Sequence, residues 1–164
     1  MSVAKTVLTE PSLLAQNLLY KNWSLTGKYQ KYTRNMSNPE LGVRIHTEDL
    51  AKFGNRMDIL VRPIGGSNRV EGGILNSVGY VYDERYDLMV EITVNTKRGS
   101  SDAISEAKEE RWLLYSEVRR ILNDRTLDRE WLADIVLANK PVPMDDPENG
   151  KFQFLQVASC VRGR

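Results

Sequence analysis

The sequence predicts an α+β fold: a mixed or antiparallel β-sheet with an N-terminal helix and one long helix packed on it. Three observations carry that expectation. Residues 86–96 alternate between apolar and polar, residues 102–123 repeat their apolar positions every 3.6 residues, and a proline-led leucine stripe fills 11–24. A chain of 164 residues suits a single domain, 1–164, and at that length about 70% of the unfolded surface is buried on folding.

Helix one is announced by Thr9-Glu10-Pro11-Ser12, with Pro11 at a position where a missing amide costs nothing. Leu14 and Leu18, flanked by Leu13 and Leu19, form its apolar stripe, which core packing explains. From Gly27 to Phe53 the pattern weakens. Tyr29 and Tyr32 interleave with Lys28, Lys31 and Arg34, Asn38-Pro39-Glu40 reads as a turn, and Val43 and Ile45 suit a short strand. The segment 27–53 is expected to be a mobile or irregular stretch.

The middle of the chain reads as strands. Met57 to Arg62 is expected to stop at Pro63, which cannot donate to a ladder. A Gly-rich segment, 65–73, is expected as a second mobile loop. Its Gly65-Gly66 and Gly72-Gly73 pairs flank Ser67, Asn68, Arg69, Val70 and Glu71. Residues 74–82 resume strand character, Asp83-Glu84 reads as the turn, and 86–96 returns. Leu88, Val90, Ile92 and Val94 share one face there, with Asp87, Glu91 and Thr93 on the other.

The strongest helix should run over 102–123, with Ser101 as its N-cap and Asp102 in the first turn. Ile104, Ala107, Arg111, Leu114, Val118 and Ile121 or Leu122 trace its inner stripe. Glu109, Glu110, Glu117, Arg119 and Arg120 fall mostly on other faces. Residues 131–139 alternate as a strand, although Asp128 offers a competing helix start. Three prolines and Asn149-Gly150 mark 140–150 as a hairpin connection into a final strand, 152–161.

Composition excludes several function classes. The 23 Lys+Arg against 22 Asp+Glu leave a formal charge of +1, which argues against DNA binding driven by counterion release. No apolar run approaches the ~20 residues of a membrane span, and Met1 to Lys5 lacks the start of a signal peptide. One cysteine, Cys160, cannot form an internal disulfide, and one histidine, His46, cannot build a His-based metal site. These features read as soluble, cytosolic and without a cofactor.

The glycine pairs lack the strand, Lys and helix context of a phosphate loop, and no serine sits in a nucleophile elbow. The best enzymatic constellation is Asp58, Glu91 and Lys97. Two carboxylates on neighbouring strands with a lysine suit Mg²⁺-dependent phosphodiester cleavage. That plan resembles the PD-(D/E)XK nucleases, but the position two after Glu91 is Thr93 and no proline precedes Asp58.

The order of elements is also similar to that of the tail terminator (tail completion) proteins of tailed bacteriophages. The likeness lies in a helix at 11–24, a strand ending in Arg62-Pro63 and a Gly-rich excursion at 65–73. It continues with the Tyr82-to-Ile92 step, a long helix and a closing pair of strands, 131–139 and 152–161. This resemblance implies a non-enzymatic virion protein. It would form a ring, commonly a hexamer, between the tail tube protein and the head connector, with DNA only as passing cargo and no membrane contact. On that reading Gly65, Gly66, Ser67, Asn68, Arg69, Glu71, Gly72 and Gly73 are assembly residues, and Arg62, Arg69, Lys97 and Arg98 face the lumen.

Overall fold

The computed structural model describes residues 10–36, 42–46, 56–74, 80–96, 100–124 and 133–162. Helix α1 (Pro11–Asn22) leads through a 3-10 turn (Gly27–Tyr29) to strand β1 (Val43–His46). Strands β2 (Met57–Ile74) and β3 (Tyr80–Asn95) precede helix α2 (Ser101–Asn123). Strands β4 (Ala133–Asp146) and β5 (Lys151–Arg162) close the chain. The five strands form one sheet in the order β1-β2-β3-β5-β4. Only the β1–β2 pair is parallel, and the rest are antiparallel. The expected α+β architecture is therefore present, with both helices on one face of a mixed sheet.

That face is dictated by the strand period. Leu88, Val90, Ile92 and Val94 of β3 are fully buried, as the alternation requires. They lie beside Ile59 and Val61 of β2 and Phe152, Ala158 and Cys160 of β5. Leu114, Val118, Ile121 and Leu122 of α2 press onto this surface, joined by Leu14, Leu18 and Leu19 of α1. Glu10 caps α1, accepting from the amides of Ser12 and Leu13. Ser100 caps α2 one residue earlier than expected, its hydroxyl accepting from the Ala103 amide.

The sequence reading fails where glycine and proline sit inside strands. Residues 65–73 are not a loop: they belong to β2 and pair along β3, from Gly65 opposite Asp87 to Glu71 opposite Val81. Two irregularities explain the composition. Ile64 is an extra residue between Pro63, opposite Leu88, and Gly65. Gly72 and Gly73 are extra residues between Glu71 and Ile74, which pairs with Tyr80. Glycine and proline mark bulges in a continuous ladder here. Asp83-Glu84 is likewise no turn, since both residues pair with β2, and the β2–β3 connection spans 75–79.

Segment 27–53 is partly regular. Trp23 donates its indole N–H to the Tyr29 carbonyl at 2.7 Å, Val43 donates to Gln30 at 2.7 Å, and Lys31 bridges to Val43. The expected turn at Asn38-Pro39-Glu40 lies outside the described residues. Strand β4 runs from 133 to 146, which settles the strand-or-helix question at 133–139 and shortens the expected 140–150 connection. Pro141 and Pro143 are tolerated because β4 is an edge strand. The β4–β5 turn is a 3-10 turn, Pro147–Asn149, closed by Gly150 at φ 63°. A Cβ at Gly150 would stand 2.1 Å from the Thr96 carbonyl oxygen, so this position requires glycine for conformation and for space.

Helix α2 buries three charged side chains, and each reaches a different part of the chain. Glu110, 2% exposed, is paired with Arg56 and with Lys28 at 3.3 Å. Arg111 pairs with Asp145 of β4, donates to the Gln153 carbonyl of β5 at 3.0 Å, and lies 4.0 Å from the Phe154 ring centre. Glu117 accepts from the Ser24 amide and hydroxyl at 3.0 and 2.9 Å and from Arg120 at 2.5 Å. Burial alone would raise the Glu110 and Glu117 carboxyls, but these donors outweigh it and hold both below their ordinary values. The expectation that both glutamates sit on outer faces is thus corrected. They lie at the flanks of the buried stripe, where an ion pair can follow them inward.

Neighbouring positions on α2 should therefore respond differently. Glu109→Ala, fully on the wet side, should change stability by no more than about 0.5 kcal/mol. Glu110→Ala should cost about 1–3 kcal/mol, because it leaves Arg56 and Lys28 without their shared acceptor. Leu114→Ala should cost about 2–5 kcal/mol, as it opens a cavity under the sheet-facing stripe. Urea melts of the three variants check the order, and equal losses at 109 and 110 would refute the helical phase.

Candidate assembly surface

The strands differ in length, and the difference creates the most distinctive feature of the molecule. Strand β1 supports β2 only over 57–60, and β5 supports β3 only as far as Glu84, opposite Arg162. Beyond those limits, among the described residues, β2 and β3 pair only with each other, through Arg69–Asp83, Val70–Tyr82, Glu71–Val81 and Ile74–Tyr80. The result is a two-stranded arm that overhangs the sheet by about 15 Å at ~3.3 Å per residue. A free two-stranded ribbon is marginally stable in water.

All the residues singled out in 65–73 lie on the β2 side of this arm or at its base. Gly65, Gly66, Ser67 and Asn68 are at its root, opposite Asp87, Tyr86, Arg85 and Glu84. Arg69 and Glu71 are further out, and Gly72 and Gly73 form the bulge near its end. Arg62 sits elsewhere, on the sheet face away from the helices, where it pairs with Glu91 at 2.9 Å. Lys97 and Arg98, two of the basic residues expected to line a lumen, lie outside the described residues.

The helix-free face also carries the nuclease-like carboxylates. Asp58 stands opposite Thr93 and Glu91 opposite Leu60, so both project from the same side. Glu91 is engaged by Arg62. Asp58 lies 3.8 Å from the His46 imidazole, and its Oδ1 is buried without a hydrogen bond. Among the described residues no three His, Cys, Asp or Glu side chains converge on one point. Cys160 is fully buried among core residues.

Burial pushes the Asp58 carboxyl up to about 6, with the positive charge of Arg44 opposing it. A carboxyl raised in the folded state favours folding most below its unfolded value, near pH 4, and that advantage disappears as pH rises through about 6. Asp58→Asn, which keeps the neutral shape, should raise stability at pH 8 by about 1–3 kcal/mol. The gain should vanish near pH 4. Urea midpoints measured from pH 4 to 8 test this, and destabilisation at pH 8 would contradict it.

No protein-family model matches this chain, and a search of curated proteins finds no significant match.

Proposed function

We propose that the chain is a structural, ring-forming protein of a tailed-phage particle, a tail terminator that caps the tail tube and joins it to the head connector. The observation that carries this reading is the overhanging β2–β3 arm. Backbone edges on a marginal ribbon acquire stability by laying the ribbon on another surface, and a head-to-tail contact of this kind gives a ring when its rotation closes. The even balance of 23 cationic against 22 anionic residues suits repeated contacts between copies of one chain, which need both signs of charge. An order of helix, long hairpin, long helix and closing hairpin fits the resemblance drawn from the sequence.

Replacing 67–83 by a two-residue hairpin turn tests the proposal. The remaining sheet keeps β1, β5 and β4 and every buried residue of the described core, so the shortened chain should melt within a few degrees of wild type. Ring formation, read by mass photometry and negative-stain microscopy with purified tail tubes, should be lost. A shortened chain that still forms rings and caps tubes would refute the role of the arm. Mg²⁺-dependent DNA cleavage lost in Glu91→Ala would refute the structural reading as a whole.

A further inference from the structure

A cleft of about 590 Å³ opens between the C-terminal half of α2 and edge strand β4, within the range of about 300–1,000 Å³ that small-ligand sites occupy. Its α2 wall is a stripe at helical spacing, Trp112, Tyr115, Arg119 and Asn123. Its β4 wall follows from a bulge. Ala138 pairs with Val157 and Val142 with Leu155, so Asn139, Lys140 and Pro141 stand against the single residue Gln156. The extra chain brings Lys140 and Pro141 into the lining.

The two ends of the cleft differ in chemistry. Arg111 donates to the Gln153 carbonyl at 3.0 Å and Tyr115 to the Gln156 side chain at 3.4 Å, so α2 and β5 advance in the same direction. Strand β4 runs against β5, with Pro143 opposite Phe154 and the bulge opposite Gln156. Trp112 therefore shares one end with Phe154 and Pro143, and Arg119 shares the other with Lys140. From 112 to 119 the helix rises about 10 Å at ~1.5 Å per residue. At the aromatic end Tyr115 and Phe154 are buried while Trp112 is 55% exposed. Tyr115 meets the indole at a 44° tilt and Phe154 meets it edge-on, with centroids 5.4 and 6.1 Å away, so the ring is a braced and open platform. At the other end the charge is uncompensated. Lys108, Arg111 and Arg120 of α2 each pair with a carboxylate. Among the described residues, by contrast, no carboxylate lines the cleft or pairs with Arg119 or Lys140.

A flat ring at one end and two cations at the other fit an occupant that is planar and aromatic at one end and anionic at the other. A nucleotide unit has that shape. Every base offers a π-face for stacking, and the phosphate takes charge-assisted hydrogen bonds from Arg and Lys. An extended peptide is less suited, because it would add to the β4 edge through main-chain hydrogen bonds, and Pro141 and Pro143 have no amide to donate. We propose that the α2–β4 cleft binds one nucleotide unit, with its base stacked on Trp112 and its phosphate between Arg119 and Lys140. Asn123, one turn beyond Arg119, adds a neutral donor at the phosphate end. Two local cations agree with the balanced charge of the chain, because they hold one phosphate and not a duplex backbone. The site uses no residue of the arm and does not depend on the ring reading.

Isothermal titration calorimetry on the full chain tests it, with adenosine monophosphate and a short oligothymidylate as probes. At least one of the two should bind with a Kd of about 1 mM or tighter, and inorganic phosphate alone should bind at least tenfold more weakly. An oligomer that binds tenfold or more tighter than the mononucleotide identifies a single strand as the source of the unit, and a smaller difference identifies a free nucleotide. Trp112→Ala should weaken binding at least tenfold, whereas Trp112→Phe, which keeps a stacking face, should retain most of it. The exposed pair Arg119→Gln with Lys140→Gln should weaken binding by a similar factor while keeping the wild-type circular dichroism and melting temperature. Absence of binding by both probes at millimolar concentration would overturn the site. So would binding that either variant, Trp112→Ala or the double one, leaves unchanged, or binding that phosphate alone matches. A peptide of Tyr and Glu that binds more tightly than both probes would assign the cleft to a protein partner and overturn the proposal as well.

Discussion

Helix α2 is held at one depth and one rotation by charges it buries, and the rest of the molecule is arranged around that constraint. A purely apolar stripe of Leu114, Val118, Ile121 and Leu122 would tolerate small slides along the sheet. Glu110, Arg111 and Glu117 do not, because each must meet a partner in a different place. Those places are Arg56 at the entry to β2, Asp145 near the end of β4 and Ser24 after α1. Removing Arg56 or Asp145 leaves a buried charge of α2 short of its partner, which costs more than the intact pair contributes. The pairs thus act less as a source of net stability than as a set of registers. They decide which residues of α2 face outward, and so decide where Trp112 and Arg119 stand relative to β4.

Unequal strand length is the second organising feature. Among the described residues, strand β3 is paired on both sides from Glu84 to Val94 and on one side from Tyr80 to Asp83. The two bulges in β2 serve this geometry. With Ile64 extra, Val70 comes opposite Tyr82, and with Gly72 and Gly73 extra, Ile74 comes opposite Tyr80, so the ladder continues along the arm.

The sequence made the periodic elements legible and obscured the irregular ones, for a physical reason. Alternation at 88–94 and the 3.6-residue repeat at 104–122 are each driven by one buried face, so period alone locates them. Glycine pairs and prolines carry two meanings: they end elements, and they accommodate an extra residue within a ladder. At Pro63, Gly72-Gly73 and Pro141 the second meaning applies, and local composition cannot separate the two. A usable signal was present nonetheless. Val70 and Ile74 stand at spacings that continue a strand, interrupted by the small residues a bulge requires. The buried acids of α2 were missed for another reason. Glu110 and Glu117 adjoin the apolar stripe, and only the tertiary position of Arg56 and Ser24 allows them inward.

On the proposed reading, the marginal stability of the arm has a consequence for when copies associate. Ordering several residues of free ribbon costs about 1–2 kcal/mol each in backbone freedom, and the glycines at 65, 66, 72 and 73 raise that cost. The cost is met only when the arm lies against a neighbour, so affinity between two isolated copies is lower than the contact area alone would give. Each copy in a closed ring uses both of its contact surfaces, whereas an open pair leaves one of each unsatisfied. Closure therefore adds a contact without adding a subunit, and that last contact forms at the high effective concentration of an intramolecular step. An assembly built this way favours complete rings over partial ones, and a surface that gathers several copies, such as the end of a tube, lowers the cost of reaching closure.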